Sequence, residues 1–144
     1  MGRLIHRKIK VQQLTPPVNY TTSTDAAAVY IDTKGYEEML IVADMGTFSA
    51  SVTLNLDIQH SDASGSGYAT VPAPSVTSIN PRKVSLANTL ANTSPVAYLD
   101  LSGLKRYVKP VDTISANAAL YGLTAILFGP EAGPTDQTFQ ADAT

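Results

Sequence analysis

The sequence predicts an all-β protein, an antiparallel β-sandwich or barrel of jelly-roll-like form preceded by an extended N-terminal arm. Three observations carry that prediction. The run Val52-Thr53-Leu54-Asn55-Leu56-Asp57-Ile58-Gln59-His60 alternates apolar and polar residues without a slip. In an extended strand this puts Val52, Leu54, Leu56 and Ile58 on one face and Thr53, Asn55, Asp57 and Gln59 on the other, which describes a strand half buried against a core. Burying the four apolar side chains stabilises by about 1.5–3 kcal/mol each, and a one-residue slip would turn all of them to water, so the register is strongly specified. Second, Met39-Leu40-Ile41-Val42 and the segment from Ala119 to Phe128 are apolar at successive positions, the pattern of strands central in a sheet. Third, turn formers punctuate the chain at short intervals, and no convincing amphipathic helix lies between them.

Taken in order, residues 1–24 read as the arm. Basic and apolar residues mix up to Leu14, Thr15-Pro16-Pro17 stiffens the backbone into a polyproline-like segment, and a polar run from Asn19 to Asp25 completes the connection. The bland reading of this arm is a frayed terminus; the sharper one is a segment that lies on a neighbouring subunit. Residues 25–129 read as the β domain. Ala27 to Asp32 is a first strand, Thr33-Lys34-Gly35 a turn, and Tyr36 to Asp44 a second strand closed by Met45-Gly46-Thr47. The alternating strand follows and ends in the small-residue loop from Ser61 to Gly67. Tyr68 to Val71 returns, most simply beside it, and Pro72 and Pro74 bar a central strand immediately after. Ser75 to Ile79 and Val84 to Ala87 are candidate strands around an Asn80-Pro81 turn. Val96 to Leu101 alternates and stops at Ser102-Gly103; Leu104 to Lys109 is a strand that Pro110 ends or confines to an edge. Ala119 to Phe128 is the buried final strand, stopped by Gly129-Pro130, and residues 130–144 form a flexible tail with too little apolar content to order itself. No repeat of 20–50 residues occurs, which argues against a solenoid or propeller.

Composition narrows the function. A chain of 144 residues fits one domain with a sizeable core. It has no cysteine, which removes disulfides, thiolate metal sites and cysteine nucleophiles. Charged residues are 15%, against an average near 25% for soluble domains, and Ser, Thr, Asn and small apolar residues replace them, giving a nearly neutral surface suited to packing. Net charge of −2 argues against nucleic acid as the main partner, since phosphate binding needs a concentrated basic face. The charge is uneven: Arg3, Arg7, Lys8 and Lys10 crowd the first ten residues. No run approaches the length of a membrane-spanning helix, the amino terminus lacks the apolar core of a signal peptide, and His6 breaks the myristoylation pattern, so no membrane partner is expected.

Chemistry is sparse. Asp57, His60 and Asp62 are the one local set with metal-ligating side chains, but Asp57 and His60 have opposite parity and point to opposite faces unless a bulge intervenes, so no metal is expected. Ser61, His60 and Asp100 supply the residue types of a hydrolytic triad without the Gly-x-Ser-x-Gly turn that presents a nucleophile; Ser64-Gly65-Ser66-Gly67 reads as a loop tip. Neither a GxxxxGK[ST] nor a GxGxxG motif is present, and no cofactor is expected. Asn19-Tyr20-Thr21 and Asn92-Thr93-Ser94 match the glycosylation sequon, an accidental match where no secretory signal precedes it. Tyr36, Tyr68, Tyr98 and Tyr107 are candidates to present hydroxyls at a surface, or half-buried strand residues.

Two blocks carry a family resemblance: Asp32-Thr33-Lys34-Gly35-Tyr36-Glu37-Glu38-Met39-Leu40-Ile41-Val42, followed by the alternating strand, and Gly103-Leu104-Lys105-Arg106-Tyr107-Val108, followed by the small apolar closing strand. With the order of elements over residues 25–129, they resemble capsid decoration (cement) proteins of tailed bacteriophages; the proline-bearing segment 72–95 departs from that pattern. The resemblance implies a non-enzymatic virion structural protein, present in the host cytoplasm during assembly and then on the outer surface of the capsid. Its implied partners are the major capsid protein and itself, as a homotrimer that staples neighbouring subunits. The contact residues implied are Arg3, Arg7, Lys8 and Lys10, docking on an acidic capsid surface, and the stiff Pro16-Pro17 segment of the arm. The alternative reading is a carbohydrate- or receptor-binding tail or fibre module, and the third a hydrolase on the same scaffold.

Overall fold

The computed structural model describes residues 9–21, 29–71, 83–115 and 118–130. These residues form nine strands in two sheets, all paired antiparallel, so the choice between sandwich and barrel falls to the sandwich. The first sheet has the order β1-β9-β3-β7, from β1 (Lys10–Tyr20), β9 (Ala119–Pro130), β3 (Tyr36–Phe48) and β7 (Val96–Asp100). The second has the order β2-β8-β4, from β2 (Ile31–Asp32), β8 (Tyr107–Ile114) and β4 (Thr53–Ser61), with β5 (Ala69–Thr70) and β6 (Lys83–Ala87) sharing the far flank of β4.

β4 keeps its predicted register. Leu54, Leu56 and Ile58 are buried, and the strand pairs with β8 on one side and with β6 and then β5 on the other, as expected for a half-buried central strand. From the first sheet, Met39, Ile41, Leu99, Leu123, Ala125 and Leu127 face it across the core. One polar pair lies within this core: Tyr121 donates a 2.5 Å hydrogen bond to the fully buried carboxylate of Asp112.

The expected arm is corrected in its second half. Lys10–Tyr20 is not a free segment but the edge strand of the first sheet, paired with β9 from Lys10↔Leu127 to Tyr20↔Ala119. Pro16 and Pro17 sit where the register shifts between Thr15 and Val18, and an edge strand interrupted by a bulge is where a sheet tolerates residues without an N–H. Pro17 also fills the space over Gly122, where a Cβ would come within 2.9 Å of it. Residues 1–8 and 22–28 lie outside the described residues, as do 72–82, with the Ser75–Ile79 strand and the Asn80-Pro81 turn, and the tail from 131.

Boundaries also differ, and the first predicted strand, Ala27 to Asp32, is a strand only at Ile31–Asp32 among the described residues. β3 runs through Met45-Gly46-Thr47 to Phe48, because Gly46 leaves room for Leu120, whose side chain would lie 2.7 Å from an added Cβ. β8 starts only at Tyr107 and continues past Pro110 to Ile114. Its flank toward β2 is covered only at Tyr107 and Val108, so beyond them that flank has no strand partner among the described residues and the missing N–H of Pro110 can face it at no cost to the ladder. The final strand passes through Gly129 to Pro130. Its predicted central place is borne out, between β1 and β3.

Candidate interaction surface

Each sheet of a two-layer sandwich buries one face and turns the other outward. On the second sheet the outward residues of β4 are Thr53, Asn55, Asp57 and Gln59, the polar half of the alternating run. The first sheet has the opposite character. Its outward residues include Val96 and Tyr98 on β7, Leu40 and Val42 on β3, Ile126 and Phe128 on β9, and Val11 on β1. The pairing Tyr98↔Leu40↔Ile126↔Val11 draws one row of side chains across all four strands. Val11 is 62% exposed, Val96 55%, and Ile9, just before β1, 37%. With strands about 4.8 Å apart and same-face residues about 7 Å apart, three rows span roughly 300–400 Å². The middle row is apolar throughout, while the flanking rows hold Thr124 and Gln13 beside Val42 and Val96, and Glu38 and Asp100 beside Phe128.

Carboxylates frame this face. Glu38 accepts a short hydrogen bond from the Tyr98 hydroxyl, which pushes that hydroxyl up to about 12. At the same rim Asp100, the β7 partner of Glu38, accepts from the Ser102 N–H at 2.8 Å, and at the opposite rim Asp44 accepts from the Ser94 hydroxyl at 2.8 Å. All three have neutral donors, and the ion pairs among the described residues are Lys105–Asp62 and Arg106–Asp32, both beside the second sheet. The one basic side chain in the described part of the four strands, Lys10, is turned away and donates from Nζ to the Asp32 carbonyl at 3.1 Å.

That contact accounts for one of the predicted docking residues. Lys10 and Gln12, whose Nε2 donates to the Tyr30 carbonyl at 3.0 Å, tie the β1 edge to the β2 edge of the other sheet. The Pro16 carbonyl accepts from the Tyr20 hydroxyl at 2.9 Å, and Pro17 covers Gly122. Arg3, Arg7 and Lys8 lie outside the described residues.

A second, smaller surface lies on the outward face of the second sheet. The Tyr30 and Tyr107 rings meet edge to face at 5.5 Å, the Lys109 ammonium lies 4.6 Å from the centre of the Tyr68 ring, and Gln59 and Thr70 adjoin them through strand pairing. The Arg106 guanidinium stacks 5.0 Å over Tyr107 while gripping Asp32 at 2.9 and 2.7 Å, which holds the Asp32 carboxyl below the usual carboxylate range. Of the predicted surface tyrosines, Tyr68 and Tyr107 meet here, Tyr98 lies on the first sheet and Tyr36 is buried. Tyr30 is the member that sequence reading missed; its parity, opposite to that of buried Ile31, was the available signal.

The residues of the candidate metal set and of the triad do not converge. His60 is buried and its Nδ1 accepts the Lys105 N–H at 3.2 Å, while Asp57, on the opposite face, accepts from the Thr70 hydroxyl at 2.9 Å. Burial, and then the Lys105 charge, push the His60 imidazole below its ordinary value. Ser61 is spent on its own loop, donating to the Ser66 carbonyl, and Asp100 belongs to the other sheet. Among the described residues no three His, Asp or Glu side chains form a group able to hold a metal ion. Comparison with known proteins finds no family model, no curated protein and no solved structure that matches the chain.

Proposed function

We propose that this chain is a structural protein of a tailed-phage virion, a non-enzymatic decoration protein that seats on the assembled head, as a homotrimer, and staples neighbouring capsid subunits. The observation that carries the reading is the apolar, acid-rimmed outward face of the first sheet. Cross-strand packing gains a sandwich only part of what outward apolar side chains can give, whereas a surface held by neighbouring subunits gains the rest. The low charge of the sequence fits the same use, because copies crowded on a shell must not repel one another. The resemblance of the Asp32–Val42 and Gly103–Val108 blocks supports a phage head as the particle. The test is co-sedimentation of the purified full chain with heads assembled from the major capsid protein that accompanies it. Saturation at a fixed ratio of copies per capsid subunit is expected; a chain that stays in the supernatant at micromolar concentration overturns the proposal.

The tyrosine cluster favours a second reading, a glycan-binding tail or fibre module, because aromatic faces beside amide and hydroxyl groups suit stacking on sugar rings. That reading requires glycan-array signals that fall on Tyr30→Ala or Tyr68→Ala, and an array without hits dismisses it.

A further inference from the structure

The outward face of the first sheet offers a docking surface, and its chemistry suits one kind of occupant: apolar residues to lie on the Tyr98–Leu40–Ile126–Val11 row, and cations to meet Glu38, Asp100 and Asp44. One segment of this chain has that composition. Residues 1–8, Met-Gly-Arg-Leu-Ile-His-Arg-Lys, carry Leu4 and Ile5 among Arg3, Arg7 and Lys8. We propose that residues 1–8 of one copy lie on the outward face of the first sheet of a second copy, so that each subunit gives an arm and receives one. This deepens the assembly reading of that face and rests on it, but not on the identity of the particle.

Three arguments choose a second copy over the chain's own arm and over a face-to-face pair. The described chain begins at Ile9, which adjoins the rim formed by Phe128, Glu38 and Asp100, since Lys10 pairs with Leu127 and Glu38 with both Phe128 and Asp100. To return onto its own face, a segment leaving that rim along the β1 direction must reverse within a few residues. Between Arg3 and Ile9 the sequence offers no Gly, Pro, Asn or Asp to make such a turn. Extended at about 3.3 Å per residue, eight residues reach roughly 26 Å, enough to cross a neighbouring four-strand sheet of roughly 15–20 Å. Finally, two such faces pressed together bury only roughly 300–400 Å² each, about half of the ~800 Å² per partner of a stable interface. Exchange of arms adds the arm's own area on every copy and brings the total to that range. It also places like-charged rims opposite cations instead of opposite each other.

The absence of cysteine from the chain makes the test direct. Full chains carrying Leu4→Cys and Leu40→Cys are mixed and treated with a short bismaleimide linker, with Leu4→Cys plus Thr113→Cys, on the outward face of the other sheet, as the control. The expected result is a linked pair of twice the 15.2 kDa chain mass from the first mixture at least tenfold above the control. In a single chain bearing both Leu4→Cys and Leu40→Cys, the dominant product is expected to link two chains. In parallel, sedimentation of the unlabelled full chain is expected to give a closed multiple of the monomer mass. Removal of residues 1–8 is expected to return it to monomer with its thermal midpoint kept. Charge reversal by Glu38→Lys with Asp100→Lys weakens association by tenfold or more, and mixing that variant with an Arg3→Glu, Arg7→Glu chain restores it. Linkage confined to one chain, linkage no stronger than the control, or a full chain that is monomeric overturns the arm exchange. A monomeric chain would also remove the trimer from the proposed function. None of these outcomes bears on co-sedimentation with heads, so seating on the head and arm exchange fail separately.

Discussion

The outward faces of the two sheets differ as strongly as a surface and a core. On β4, Thr53, Asn55, Asp57 and Gln59 turn out while Leu54, Leu56 and Ile58 turn in, and the strand needs nothing beyond the sandwich itself. On β3, Met39 and Ile41 turn in, but Leu40 and Val42 turn out, in line with Tyr98, Ile126 and Val11. The same periodicity of two therefore appears in two forms: one strand alternates to divide core from water, the other carries apolar residues on both faces, one turned to the core and the other on the outward face that is proposed to receive a neighbour. Under that proposal stability and assembly fall to opposite sides of one sheet and can be altered separately.

The comparison breaks most sharply at the core. Leu56→Ala removes a fully buried side chain and is expected to cost about 2–5 kcal/mol in denaturant unfolding; a cost below 1 kcal/mol would mean that β4 is not the strand around which the layers pack. Next comes Tyr121→Phe, which deletes a hydrogen bond to the buried Asp112 carboxylate and is expected to cost about 1–3 kcal/mol, read from the same unfolding curves. Acidification gives a smaller effect on the second sheet. The fold holds His60 below its ordinary value of 6.5, so below that pH the unfolded chain takes up the proton more readily than the folded one. Stability is expected to be full above about pH 6.5 and to decline as pH falls through the depressed folded value. Thermal melts at pH 7.5 and 5.5 are expected to differ more for the natural chain than for His60→Gln. The smallest change in stability is expected where the change in association is largest: Leu40→Thr with Val96→Thr on the outward face alters unfolding by about 0.5 kcal/mol or less per site, while weakening association. Loss of stability comparable to Leu56→Ala would show that this face is covered within the single chain.

Much of the fold was legible along the chain, in proportion to how local its cause was. β4 and β9 were readable because alternation and continuous apolarity directly record how many faces are buried. β1 was hidden, since Pro16 and Pro17 forbid regular pairing and nothing nearby in sequence reveals that β9 tolerates a bulge there. Nor does the sequence around Pro110 show that β2 is too short to reach it. Lys10 was legible as a cation but not as a side chain committed to the Asp32 carbonyl, for that bond joins residues 22 apart through the meeting of two sheets.

What the sequence determined by itself was the all-β class, the inward face of β4 and the double apolarity of β3 and β9, because strand periodicity is a property of neighbouring residues. Only the tertiary structure decided that the second apolar face is outward and not a further buried layer. It decided too that half of the arm is an edge strand, and that Tyr30, Tyr68 and Tyr107 gather on one surface with Lys109 buried against the Tyr68 ring. These depend on which strands lie side by side, and that order is set by contacts between residues far apart in the chain.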